Sequence, residues 1–258
     1  MKKLIGLGLL LCAGLVAQEA KPLIYVAFYK VHPDKGGQWT DGMKKLFVPV
    51  MDKLMAKGAV LSYGLDEDML HRVGETNHDA WWAMPNLAAY DQVVRAVDEA
   101  FAKQPEDLAN ILDAQDVDQH YDLLFRTVAS SGQAVPAGSL PVERIATYTA
   151  KPGKSEEMDE AFNHFFKPLY DGLVADGTIH GYSWLASAVH NDDVERRWLV
   201  VSMPNWGAFD KVIAKFGEDD QQRSKAENDM LEALFEGIGE DTGHEDWMIR
   251  ATVFKSSK

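Results

Sequence analysis

The sequence predicts an α+β fold in which two tandem βαββαβ repeats pack as a single barrel-like body. Three observations carry this. The chain repeats itself at one spacing of 119 residues: Met84-Pro85-Asn86 returns as Met203-Pro204-Asn205, and Pro33/Pro152, Lys35/Lys154, Phe47/Phe166, Asp52/Asp171 and Tyr63/Tyr182 hold the same register without a gap. Within each copy the apolar residues switch between the two-residue step of strands and the three-to-four-residue step of helices. A sheet covered by helices on one side leaves the other side bare, and a second copy can cover it. A repeat of this length is a duplicated domain rather than a solenoid, whose units run to about 20–50 residues.

Residues 1–17 read as a secretory signal peptide. Lys2 and Lys3 precede an apolar run from Leu4 to Val16, shorter than the ~20 residues a spanning helix needs, and cleavage is expected after Ala17. Cys12 offers the alternative of a lipoprotein cysteine, although Leu11 stands where lipid attachment wants a small residue. The first repeat is assigned to residues 18–129, a small, polar, Gly/Pro-bearing linker to 130–140, and the second repeat to 141–258.

Each half opens on a β-rich segment, 23–31 and 144–150, followed by a Pro-x-Lys turn. The first helices carry Met43, Leu46, Phe47, Val50, Met51 and Leu54 in one copy and Met158, Phe162, Phe165, Phe166, Leu169 and Leu173 in the other. Offsets of three and four put each set on one face. Gly58 and Gly177 supply stop signals. Pro49 and Pro168 lie inside these helices. An interior proline costs about 3 kcal/mol, so both helices are expected to bend there. Strands follow at 59–66 and 178–185, then at 79–84 and 198–203, and Asn86 and Asn205 are placed to cap the second helices. The last strands are 121–128 and 247–254. Here His120/His244, Asp122/Asp246 and Arg126/Arg250 match at 124, so the second half carries a five-residue insertion within the acidic, partly helical stretch 218–243.

The formal charge of −14 argues against nucleic acid and anionic membrane surfaces, which attract basic patches. Cys12 is the single cysteine, so the mature chain has no disulfide, thiolate nucleophile or Cys-ligated metal.

Strand–helix–strand–strand–helix–strand is the ferredoxin-like unit, and eight strands from two such units enclose room for side chains or one small ligand. Val26/Ile145 and Val60/Ile179 are apolar in both copies and are assigned to the helix-covered face. Alternation then puts Tyr29, Tyr148, Tyr63, Tyr182, His180 and Trp184 on the inner face, joined by Trp81 and Trp198 from the third strands. Such a lining suits a flat, partly apolar molecule, or it fills the space between two sheets. His180 is the candidate acid–base group, with Tyr182 or Tyr148 as hydrogen-bond donor; the counterpart of His180 is Leu61, and a core histidine bonded to backbone is the plainer reading. His71/His190 and His120/His244 recur, with Asp122 and Asp246 nearby in sequence, but no HxxxH, HExxH or CxxC spacing supports a metal, and none is expected. Asp116-Val117-Asp118 lacks the glycine and final glutamate of a calcium loop.

Tyr148-Thr149-Ala150-Lys151-Pro152-Gly153-Lys154, the Gly181-Tyr182-Ser183-Trp184 strand, and Trp198-Leu199-Val200-Val201-Ser202-Met203 running into Ala208-Phe209-Asp210 resemble the NIPSNAP-like branch of the dimeric α/β-barrel superfamily. The resemblance covers both halves but not the leader, the linker or 218–243. It implies the barrel fold. It also implies a spread of chemistries: cofactor-free monooxygenases, haem-degrading enzymes and chlorite-dismutase-like haem proteins share it, so the fold by itself assigns no reaction. Haem-using relatives generally take the iron ligand from a histidine on the second helix. Neither 86–101 nor 205–216 contains one, and His164 falls on the first helix of half two. No cofactor is therefore expected.

The expectation is a periplasmic or secreted protein that binds a small, partly aromatic or apolar molecule in a cavity between the sheets, with a monomer able to exist. Two alternatives remain open: a cofactor-free monooxygenase or isomerase using His180, and a protein-interaction module using the acidic stretch.

Overall fold

A computed structural model describes residues 21–70, 74–189, 192–240 and 244–257. The leader, Cys12, His71 and His190 lie outside them. The first half runs β1 (Leu23–Val31), α1 (Gly36–Ala56), β2 (Ser62–Asp68), β3 (His78–Met84), α2 (Leu87–Ala102), α3 (Pro105–Asp113) and β4 (Gln115–Gly132). The second runs β5 (Val142–Thr149), α4 (Ser155–Ala161), a π-helical turn (Phe162–Phe166), α5 (Lys167–Ala175), β6 (Gly181–Ser187), β7 (Arg196–Met203), α6 (Trp206–Gln222), α7 (Lys225–Ile238) and β8 (Glu245–Ser256). Each copy thus adds one helix, α3 or α7, ahead of its last strand.

The strands close into an antiparallel barrel in the order β1-β3-β2-β8-β5-β7-β6-β4. The halves meet where the last strand of each pairs with the second strand of the other: β8 lies along β2 from Ser62↔Ser256 to Asp68↔Ile249, and β4 along β6 from Phe125↔Ser187 to Gly132↔Gly181. Ser130, Ser131 and Gly132, expected in the linker, are therefore still strand. Their approach to β6 needs glycine: a Cβ on Gly181 would sit 2.8 Å from the Ser131 carbonyl oxygen. Closure removes the exposed strand edges that an open four-stranded sheet would carry.

Helices pack on the outside of the barrel and make two cores. In the first half Trp39, Leu46, Phe47 and Met51 of α1 bury against Tyr63, Leu65 and Trp82. In the second, Met158, Phe162, Tyr170 and Leu173 bury against Tyr182, Trp184 and Leu199. Each large apolar side chain buried this way contributes roughly 1.5–3 kcal/mol. A third apolar cluster lines the lumen with Leu123, Phe125, Leu185 and Trp198, flanked by Ile24, Val26, Phe28 and Ile145.

The Asn86 side chain caps α2 by accepting from the Ala89 N–H at 3.0 Å. Asn205 holds the same position on α6 without a side-chain cap bond. The two interior prolines behave differently. α1 runs unbroken through Pro49. In the second half the helix divides, and Pro168 sits in the first turn of α5, directly after the π-helical turn. The wider turn separates the pyrrolidine ring from the preceding carbonyls, with which it would clash in a regular helix. The acidic stretch 218–243 forms the end of α6 and α7. α7 starts on a capping box in which Ser224 and Glu227 bond each other's backbone N–H.

Candidate functional site

Among the described residues, two cavities are large enough for a small molecule. The first is the barrel lumen, about 360 Å³. Its walls are Val26, Phe28, Phe125 and Trp198, and three carboxyl groups project among them: Asp66 on β2, Asp79 on β3 and Glu143 on β5. Asp66 and Asp79 face each other across neighbouring strands. The Trp81 indole lies over Gly64 and donates to Asp66 Oδ2 at 2.7 Å. This requires a bare backbone, since a Cβ on Gly64 would come within 2.5 Å of the indole nitrogen. Asp66 Oδ1 has no donor.

Burial raises the pKa of all three carboxyls. For Asp66 the charges of Asp79 and Glu143 add to it; for Asp79 those of Asp68 and Glu143 do. Burial pushes Glu143 to about 7, opposed in part by Ser202. The physical cause is the cost of holding an ionised carboxylate away from water. His180 lies half-buried at the rim, and desolvation holds its imidazole below its ordinary pKa. Its backbone is engaged on both sides, donating to the Ser202 carbonyl and accepting from Gln133 N–H.

Sequence reasoning passed over the three carboxylates, although a signal was present. In the 119 register Asp66, Asp79 and Glu143 oppose Leu185, Trp198 and Ile24. An acid in a strand whose repeat counterpart is a large apolar residue points to an inward-facing exception.

The face assignment of the sequence reading needs correction. Trp81 and Trp198 do line the lumen, and His180 reaches its rim. Tyr29, Tyr63, Tyr148 and Trp184 instead pack beneath the helices, and Tyr182 packs there too although it also borders the lumen, while Val26 and Ile145 point inward. Both faces of these strands are buried, so an apolar residue marks neither. On the second strands alternation was counted from Val60 and Ile179, which precede β2 and β6 and obey no strand parity. The hydroxyls of Tyr63 and Tyr182 have structural partners. Tyr63 donates to Asp52 at 2.6 Å and Tyr182 to Asp171 at 2.7 Å, so Tyr182 is not free to assist His180.

The second cavity, about 610 Å³, lies between helices and sheet in the second half. Here Tyr148 and Trp184 come together, their rings 5.8 Å apart, and Phe162 stacks on Trp184 at 4.4 Å. Phe166, Phe209, Phe216 and Phe235 extend the aromatic wall. One end is polar. Arg144 pairs with Asp246 at 2.6 Å and lies 5.7 Å over the Phe209 ring. Burial raises the pKa of Tyr148 against the opposing effect of Arg144. Behind the wall Asp159 accepts from Trp184 Nε1 at 2.7 Å and from buried Arg197 at 2.7 and 3.1 Å. In the first half Tyr25 stands at the position of Arg144 and stacks on Trp82 at 4.1 Å, where the second half has Val201. The repeat has filled one copy with rings and left space and a guanidinium in the other.

This cavity does not fit a haem iron. His244 is the imidazole that lines it, and its nitrogens are taken: Nδ1 lies 3.0 Å from the Thr147 carbonyl and Nε2 2.9 Å from Asp246. His164 is exposed on the π-helical turn, its ring edge-on to Phe165. His120, the repeat counterpart of His244, pairs with Asp122 at 2.9 Å and stacks on Tyr29. Among the described residues no group of three or more His, Cys, Asp or Glu is placed to hold a metal ion.

No protein-family description matches the chain, and no curated protein matches it. Solved structures do. A candidate monooxygenase from Fusobacterium nucleatum is 11% identical with a TM-score of 0.65, over 92% of this chain and 95% of that one. A candidate monooxygenase from Lactobacillus acidophilus is 11% identical with a TM-score of 0.64, over 92% and 97%. An anthrone oxidase-like protein is 9% identical with a TM-score of 0.54, over 93% and 94%. At such identities the likeness is one of fold, the dimeric α/β-barrel arrangement held here within a single chain.

Proposed function

We propose that the chain is a small-molecule-binding barrel whose ligand is a planar, mainly apolar molecule with an acidic or hydrogen-bond-accepting edge, held in the helix–sheet cavity of the second half. One observation carries this: an aromatic-walled space of about 610 Å³ that ends on Arg144. Its size lies in the usual range for small-molecule sites, and apolar walls with a few convergent polar groups are their usual make-up. Stacking against Phe162, Trp184 and Tyr148 would hold a flat ring system, and Arg144 with Tyr148 would orient its polar edge.

Enzymatic oxygenation without a cofactor is the second reading. The names of the structural neighbours, two candidate monooxygenases and an anthrone oxidase-like protein, favour it. In the helix–sheet cavity Arg144 would stabilise the anion that a phenolic or anthrone-type substrate forms on losing a proton, with dioxygen as co-substrate. His180 serves as base only for a reaction in the lumen, whose rim it occupies.

We also place the chain, on its sequence motifs, with NIPSNAP-like proteins, and on its leader, in the periplasm or outside the cell. Because both halves of the barrel lie in one chain, a monomer supplies the whole site. The acidic stretch has a role within this reading: Phe235 and Ile238 of α7 pack into the second helix–sheet core.

The test is binding of anthraquinone-2-carboxylate, followed by quenching of tryptophan fluorescence, to wild type and Arg144→Leu. Loss of a charged hydrogen bond should weaken binding about 10–100-fold, and uncharged anthraquinone should bind both proteins alike. Equal affinity of the carboxylate for both proteins would rule the site out. Oxygen uptake with an anthrone substrate tests the second reading.

A further inference from the structure

The three lumen carboxyls play no part in the reading above, and an apolar filling was available to each of them. Leu185, Trp198 and Ile24 occupy the corresponding positions of the other repeat. Placing three acids in a barrel core is costly without a compensating partner. Among the described residues lining the lumen none is a lysine or arginine. Asp66 is 1% exposed, and its Oδ1 is left without a donor. Its cross-strand neighbour Asp79 hydrogen-bonds it, a contact that two carboxyls make only while one of them holds a proton.

We propose that the lumen is a second binding site, for a small organic cation of the aryl- or alkylammonium class. Asp66 and Asp79, opposite each other on β2 and β3, would accept from the ammonium head, with the Glu143 carboxyl of β5 adding its charge from across the cavity. The faces of Trp81, Trp198 and Phe28, all lining the same cavity, would hold the head and its apolar substituent by cation–π and apolar contact. A metal ion is the weaker fit, since these carboxyls do not converge on one centre. The cavity of about 360 Å³ is sized for a small organic molecule rather than an ion. Exposed Ser130, Gly132 and Gln133 also line it, so it reaches solvent at the end of β4. His180 on that rim, its proton affinity lowered by burial, does not oppose a cation at neutral pH.

Binding should displace protons from the carboxyls. The groups that set this are Asp66, Asp79 and Glu143 themselves, Asp68 acting on Asp79, and Trp81 and Ser202 as neighbours.

The experiment is calorimetric titration with benzylammonium and, as its neutral shape match, benzyl alcohol, on wild type, Asp66→Asn, Glu143→Gln and Arg144→Leu. Benzylammonium should bind saturably, with a heat that varies with the ionisation enthalpy of the buffer. Asp66→Asn and Glu143→Gln should each weaken it about tenfold or more, and benzyl alcohol should bind far less well. Arg144→Leu, which tests the other cavity, should leave it unchanged. Absence of saturable binding, equal binding of benzyl alcohol, or wild-type affinity in both carboxyl variants would overturn the proposal.

Discussion

The Tyr182 hydroxyl donates to Asp171 at 2.7 Å, and 119 residues earlier Tyr63 donates to Asp52 at 2.6 Å. Each bond ties the first helix of its repeat to the second strand, which is a physical reason for both copies to keep the pair. Burial pushes the Asp171 carboxyl up, but hydrogen bonds from Lys167 and Tyr182 outweigh it and hold the carboxyl below its ordinary value. Tyr182→Phe should cost about 1–2 kcal/mol at neutral pH. Asp171 has a lowered folded-state pKa, so the bond's contribution is present above about pH 4 and is lost as pH falls through that lowered value. Urea unfolding at pH 7 and pH 3 checks this: the gap between wild type and variant should narrow in acid. A gap unchanged by pH would mean that the hydroxyl does not act through Asp171.

Glu143 gives the opposite pH dependence. Burial raises its carboxyl to about 7, so the folded protein holds a proton that the unfolded chain releases near pH 4.5. Stability then falls as pH rises from about 4.5 to 7, and the raised carboxyls of Asp66 and Asp79 act in the same direction. Glu143→Gln should remove one such contribution. The variant should gain on wild type through that window and level off above it, by at most about 3 kcal/mol. Thermal melts across pH 4–9 would show the gain; parallel curves for the two proteins would place Glu143 in a solvated environment instead.

The repeat made the architecture legible. Its register exposed both βαββαβ units, the Asn86 cap and the strand cores, because turn residues and helix periodicity are local signals. The site was less legible for a physical reason. In a closed barrel under helices a strand can be apolar on both faces, as β1 is, so Val26 and Tyr29 do not reveal which of them faces the lumen. What the sequence did hold was a contrast between copies: Asp66 against Leu185, Arg144 against Tyr25, Met158 against Trp39. Matching positions reported the fold. The specialised sites lie where the positions differ.

Met158→Trp tests that contrast directly. Met158 lines the helix–sheet cavity of the second half, and its counterpart Trp39 is fully buried in the first half, with Nε1 donating to Gln115 at 2.7 Å. An indole at 158 should occupy the cavity and abolish binding of anthraquinone-2-carboxylate. The fold should survive, with a loss of no more than about 1–3 kcal/mol from overpacking and an unmatched N–H. Far-ultraviolet circular dichroism and fluorescence titration together decide it. A folded variant that still binds the probe would move the ligand elsewhere.

Asp159 is the strut behind that cavity. It takes two hydrogen bonds from Arg197 and one from Trp184 Nε1, and Arg197 is 1% exposed. Asp159→Ala would leave a guanidinium buried without its counter-charge, a loss of about 3–5 kcal/mol. The first half shows that the fold itself does not demand the ion pair, because Thr40 and His78 stand at the matching positions. The double variant Asp159→Leu/Arg197→Met should therefore recover most of the loss. It should remain below wild type by about 1–3 kcal/mol, since the Trp184 N–H stays unpaired. Urea unfolding of the two variants beside wild type measures both steps. If the double variant is no more stable than Asp159→Ala, the cost comes from lost shape rather than uncompensated charge, and the pair's part in positioning Trp184 against a ligand would have to be argued from packing alone.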